Sequence, residues 1–221
     1  MQQFPTAAPI TVVLDLPAGH VRLIAADRAD TTVEVRPADP AKGRDTRAAE
    51  RVGVALDDGV LRIQAPGAEG LLAGHPGSVE VTVRLPSGSA VDARAAAVEL
   101  RGVGRLGEVS FDSARGPVKL DEAAGARLAL KDGDITVGRL TGPADISTAK
   151  GDIRVDQASR GLLELRTGSG DITVTAAPGV SASLDAGTSY GRIDNALRND
   201  GTAGLDIRAT TSYGDITARG L

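Results

Sequence analysis

The sequence predicts an all-β protein: a right-handed β-solenoid, or β-helix-like stack of strand-turn-strand repeats, with an N-terminal β-hairpin cap. Three observations predict it. Gly-Asp-Ile recurs at 133–135, 151–153, 170–172 and 214–216, with Gly191-Arg192-Ile193 as a variant, so a unit of 18 to 23 residues repeats through the C-terminal half. Each recurrence opens a run in which apolar and polar residues alternate, the period of a strand with one face inward. Aromatic residues make up only 2% of a chain that is 41% apolar, and 28 residues are Gly. Such a core is aliphatic, and branched side chains on a pleated surface suit the thin interior of a stacked solenoid.

Taken in order, Gly19-His20-Val21-Arg22-Leu23 carries a first copy of the repeat, with Leu14 seven residues ahead of Val21 in a preceding strand. The stretch from about 25 to 90 breaks the pattern. Thr32 to Arg36, Val52 to Leu56, Val60 to Gln64 and Val79 to Leu85 read as strands, the middle two joined by Asp57-Asp58-Gly59 as a hairpin. A differently built segment of this kind protects the exposed strand edges at a solenoid's end. Lys42 to Arg51 is mixed in charge and lacks an apolar stripe, so it reads as a solvated loop in preference to a docking helix.

Regular repeats fill 91–221. Val98-Glu99-Leu100 and Val118-Lys119-Leu120 fit the Ile-x-Val pattern, followed by the columns Ile135, Ile153, Ile172, Ile193, Ile216 and Val137, Val155, Val174. Seven residues earlier stand Val91, Phe111, Leu128, Ile146 and Leu165. In the last two units Leu184 and Ile207 lie nine residues ahead, which reads as a loop lengthened by about two residues and ending in Ser-Tyr-Gly. The whole is one domain, 1–221, with 1–90 as the cap region including the first repeat.

Composition excludes several function classes. A net charge of −4, without basic residues interleaved with aromatics, lacks the footprint of a nucleic-acid binder. The absence of Cys removes disulfides and thiolate sites. No segment approaches a transmembrane span, and the N-terminus lacks the basic and apolar regions of a secretory signal, so the sequence points to a cytoplasmic protein while leaving a surface location open.

The repeated Ser/Thr-x-x-Gly-Asp-Ile-x-Val units, preceded by a strand-rich segment ending in Val81-Thr-Val-Arg-Leu-Pro86, resemble the DUF4097 family of adhesin-like bacterial β-strand-repeat proteins. The resemblance covers nearly the whole chain. It implies a β-solenoid or β-helix-like fold and supplies no catalytic residues to carry over.

The turn column Gly133-Asp134, Gly151-Asp152, Gly170-Asp171, Gly191 and Gly214-Asp215 is the sharpest chemical pattern. Stacked carboxylates about 5 Å apart repel by roughly 0.8 kcal/mol per pair in water, so something must compensate them. One reading is a column of cations. We favour the structural one, in which Asp accepts backbone N–H bonds beside a left-handed Gly, because no second acidic loop completes six to eight oxygen ligands. His20 and His75 are isolated, and neither a zinc set nor a nucleophile-histidine arrangement is written around them. Gly102-Val-Gly-Arg-Leu-Gly107 precedes a strand pattern and so fails as a dinucleotide loop. No cofactor is implied. Tyr190 and Tyr213, with Ser189 and Ser212, share one repeat position and form the candidate interaction surface.

These features point to a non-enzymatic binding or scaffolding module that engages a protein or cell-envelope partner, with a homo-oligomer compatible with the same surface. The rival readings are a cation-stabilised or glycan-binding surface and, further off, a polysaccharide-active β-helix enzyme.

Overall fold

The computed structural model describes residues 1–66 and 77–221. His75 lies outside the described residues. The chain forms β1 (Gln2–Pro5), β2 (Thr11–Ala26), β3 (Asp30–Pro37), α1 (Gly43–Arg51), β4 (Gly53–Asp57), β5 (Val60–Gln64), β6 (Val79–Pro86), β7 (Ala90–Arg115) and β8 (Val118–Asp132). There follow β9 (Ile135–Leu140), β10 (Ala144–Lys150), β11 (Ile153–Ala158), β12 (Gly161–Ser169), β13 (Ile172–Ala176), β14 (Ala182–Tyr190), β15 (Ile193–Ala196), β16 (Leu205–Tyr213) and β17 (Ile216–Gly220).

These strands build a β-solenoid. From the second half of β8 onward each rung is a strand, a turn of Gly-Asp type (Gly191-Arg192 in one) and a second strand, whereas β2 and β7 run unbroken through the corner; like strands of successive rungs pair in parallel: β8 with β10, β10 with β12, and, on the other face, β9 with β11 and β11 with β13. The repeats stack residue on equivalent residue. Ile153 is opposite Ile135 and Ile172, Val155 is opposite Val137 and Val174, and all six are at most 1% exposed. Side chains from both faces join one aliphatic core, in which Phe111 is the single fully enclosed aromatic among the described residues.

Space does not follow sequence at the C-terminal end. The last rung in the chain, β16 and β17, inserts between β12/β13 and β14/β15. The terminal rung is therefore β14/β15, and its residues differ accordingly: Ile216 is 1% exposed, whereas Ile193 is 46% exposed. The expected Ile column holds in register, but its end member is Ile193 and is not buried.

The last two turns are also no longer than the others. Ala209 and Ala186 take the place of Leu165 seven residues before the column, and Ile207 stacks on Leu163 with Leu184 stacked on Ile207 in turn. Positions two apart face the same side of a strand, so Leu moved to the neighbouring inward slot without any loop extension. A similar shift occurs earlier. Leu100, not Val98, lies opposite both Val21 and Val118, and the next inward slot is Gly102, where an added Cβ would come within 2.8 Å of Leu106 and Leu120.

At the other end β2 lies between β7 and a rung made of β5 and β6, so the first repeat is internal. Antiparallel β4, β3 and β1 then finish the N-terminal end. The hairpin between β4 and β5 turns at Asp58 (φ 45°) and Gly59 (φ 74°), the two left-handed residues that match a two-residue turn to the twist of its strands. The segment expected to be a solvated loop is helical from Gly43 to Arg51. Its stripe is short and partly polar: Ala48 and Ala49 pack on the core, while Asp45, 3% exposed, accepts the Ser78 N–H at 3.0 Å.

Candidate binding surface on the last rungs

The Thr-x-x-Gly-Asp-Ile unit assigns each residue a contact with the next rung. Gly133, Gly151, Gly170, Gly214 and Gly191 have φ between 140° and 155°. A Cβ at Gly151 would strike the carbonyl of Gly133, one at Gly170 the carbonyl of Gly151, and so on to Gly191 against Gly214. Only Gly permits both the backbone conformation and the approach. Those carbonyls are not left unpaired. Thr148, Thr167, Thr211 and Thr188 donate their hydroxyls to Gly133, Gly151, Gly170 and Gly214 at 3.2, 2.9, 3.1 and 3.1 Å.

The carboxylates form a ladder beside them. Asp134 Oδ1 accepts the N–H of Asp152 at 2.9 Å, Asp152 that of Asp171 at 2.8 Å, Asp171 that of Asp215 at 2.7 Å, and Asp215 that of Arg192 at 2.8 Å. Each charge thus meets a backbone dipole of its neighbour, which offsets the repulsion along the column. Arg192 breaks the motif at the terminal rung, where an Asp would face no further N–H within the chain. The N–H that each Asp accepts belongs to the adjacent rung and not to its own turn.

Across the same turns runs a column whose character changes toward the open end: Arg115, Asp132, Lys150, Ser169, Tyr213, Tyr190. The rings of Tyr190 and Tyr213 stack with centroids 5.1 Å apart and planes within 2°. They are 67% and 59% exposed, and Ser189 and Ser212 beside them are exposed too. Rung spacing, about 4.8 Å, sets this geometry: residues at one register position are held at stacking distance by the backbone itself. The four residues expected to form a surface are therefore brought together.

The sequence matches Toastrack DUF4097 over residues 11–220. The chain belongs to this family. No curated protein matches this Toastrack chain. Among solved structures, it is similar to a "putative cell adhesion protein" from Clostridium sporogenes at 11% identity, with 100% of this chain and 98% of that one covered and a TM-score of 0.41. A "putative adhesin" from Bacteroides fragilis is 13% identical over 98% and 95% of the two chains, with a TM-score of 0.46. A "Putative lipid binding protein" from Parabacteroides distasonis is 12% identical over 97% and 95%, with a TM-score of 0.45.

One feature of this Toastrack fold was not read from the sequence. On the flank opposite the Gly-Asp turns, an open groove of about 550 Å³ is lined by Arg105, Glu122, Arg139, Arg154, Asp156 and Arg219, among others. Arg139 lies 3.6 Å from Glu122 and Arg154 lies 2.6 Å from Asp156, so two of these four arginines are ion-paired in place. Arg105, Glu122 and Arg139 share one register position, but the spacing between repeats in that flank is too irregular for the sequence to show it. Among the described residues, no three His, Asp or Glu side chains converge as a metal set, and no helix is long and apolar enough to cross a membrane.

Proposed function

We propose that this protein is a non-enzymatic binding module that engages a protein or cell-envelope partner through the flank of its last two rungs, with Tyr190 and Tyr213 as the apolar contact and Ser189 and Ser212 as hydrogen-bonding rim. The observation that carries this reading is the exposed, parallel tyrosine pair on a rigid scaffold. A tyrosine that merely sealed a flank would be largely covered, whereas these keep well over half their surface in water. Fixing both rings before contact reduces the ordering cost of binding, and Tyr combines apolar area with a polar tip. The remaining rungs then act as a spacer that holds the flank in place.

The double variant Tyr190→Ser, Tyr213→Ser tests this in pull-downs from envelope and soluble fractions. Loss of specific partners from a variant with an unchanged thermal midpoint supports the reading, and retention of every partner overturns it. A second reading, glycan binding, is favoured by Tyr190 as the end ring of a stacked pair, since its outer face offers a flat apolar surface on which a sugar face can lie. Glycan-array binding abolished by the same variant would select it.

A further inference from the structure

Among the described residues, the outer edge of the terminal rung meets the chain itself only at its start, where the 197–200 loop reaches Ser181 and Ala182, and no strand pairs with it from Leu184 onward. Among the described residues β14 pairs only with β16, and β15 only with β17. In β14 the N–H of Ala182 points away from β16, toward the Arg198 carbonyl at 2.9 Å, while the Ser181 carbonyl accepts Leu205 N–H from β16. Alternation along a strand then turns the backbone groups of Leu184, Ala186 and Thr188 outward, with no strand to receive them. The core is open at the same place: Leu184 and Ala186 are half-buried and Ile193 is 46% exposed, whereas their counterparts Leu163, Leu165 and Ile172 are fully enclosed. Neither β14 nor β15 contains the Lys or Pro that keeps an edge from pairing.

We propose that this end is a dimer interface, in which a second copy of the chain pairs its β14 antiparallel to the first across a two-fold axis near the middle of the strand. Three features select a second copy. A two-fold axis normal to the sheet reverses strand direction, so the same edge serves both sides and Leu184, Ala186 and Ile193 of two copies close one continuous core. The same axis sets the Arg192 turn of each copy toward the 197–204 loop of the other, where Asp200, which accepts the Thr202 N–H at 3.1 Å, offers the opposite charge and Arg198 of the same loop opposes it. The area is sufficient: about 30 Å of strand by about 20 Å of sheet-to-sheet thickness with side chains gives about 600 Å² per copy, or about 1,200 Å² in all, the lower bound for a specific interface. A head-to-tail contact would have to match β14 with β4 or β1, of 5 and 4 residues.

This interface is the strand edge of the terminal rung, which borders the tyrosine flank at Tyr190 and leaves Tyr213 one rung away, so it goes beyond the proposed function. Two chains joined in this way carry two tyrosine flanks, which makes the assembly bivalent toward a partner. Sedimentation velocity of the full chain from about 1 µM to about 1 mM is the test, a range in which an interface of this size should reveal itself. Wild type is expected to pass from monomer to dimer. Ala186→Pro removes an N–H that has no partner in the monomer, so it should leave the thermal midpoint unchanged and abolish the dimer. Arg192→Asp should weaken dimerisation at least tenfold, and adding Asp200→Arg should restore it; this pair decides the matter if the proline variant does not fold. A wild type monomeric throughout, growth into open-ended polymers, or a dimer indifferent to these substitutions would overturn the interface. Tyr190→Ser, Tyr213→Ser should lose partners while still dimerising, which separates a failure of the flank from a failure of the edge.

Discussion

The glycine column shows how sharply one residue position is fixed. Gly151→Ala should destabilise by about 3 kcal/mol or more, since it adds a strained left-handed conformation to an overlap with the Gly133 carbonyl that neither rung can relieve. Gly187→Ala is the control. An added Cβ there meets nothing within 4 Å, and φ is not left-handed, so the change should be neutral or stabilise by up to about 1 kcal/mol. Urea unfolding of both variants at low protein concentration measures the contrast. The aspartate ladder makes a subtler prediction. Asp152→Asn keeps an acceptor for the Asp171 N–H while removing one charge from the column, so it should match or exceed wild type, whereas Asp152→Ala should lose about 1 kcal/mol with that hydrogen bond. Millimolar Ca²⁺ should shift the melting temperature of neither. A large Ca²⁺-dependent rise, abolished by Asp152→Ala, would show a cation in the column after all.

Across rungs, identical side chains do not contribute equally, because burial depends on the place of the rung in the stack. Ile153→Ala should cost about 2 to 5 kcal/mol through lost burial and the cavity left between two closely packed neighbours. Ile193→Ala, at the same motif position, should cost under about 1 kcal/mol, since nearly half of that side chain is already in water. Chemical denaturation of the two variants at low protein concentration measures the difference. The motif made Ile153, its turn and its strand legible, since every local signal there agrees. It could not tell Ile153 from Ile193, because position in a stack is a property of pairing and not of the repeat. The helix at Gly43–Arg51 was illegible for a related reason: its anchor is Asp45 bonded to the Ser78 backbone, 33 residues away, and such a contact leaves no periodic trace. The tyrosine pair could be placed in one column from the sequence, yet its exposure followed only from the rung order.

At the scale of the molecule, the unexpected feature is that the chain builds its terminal rung before the one beneath it. After β13, β14 and β15 must take up a position with a vacant layer below, and β16 and β17 then fill that layer with parallel partners on both sides. Asx contacts help the chain double back: Asn195 Oδ1 accepts the Leu197 N–H at 3.1 Å and Asn199 Oδ1 the Gly201 N–H at 2.9 Å. The consequence is a dependence that sequential stacking would not have. In a simple solenoid, removal of the last repeat leaves the penultimate one paired with the rung before it. Here, removal of residues 205–221 takes from β14 and β15 their only strand partners among the described residues and uncovers Leu163, Leu165 and Ile172, all fully buried in the intact chain. The 161–176 rung keeps its pairing with β10 and β11 and should survive. Hydrogen exchange on a chain ending at residue 204 should therefore show protection through β12 and β13 and near-complete loss of it from 182 to 196, with β14 and β15 detached as a unit. Retained protection in 182–196 would mean that this rung can dock directly on β12 and β13, and would make the inserted order a late rearrangement instead of a requirement of the fold.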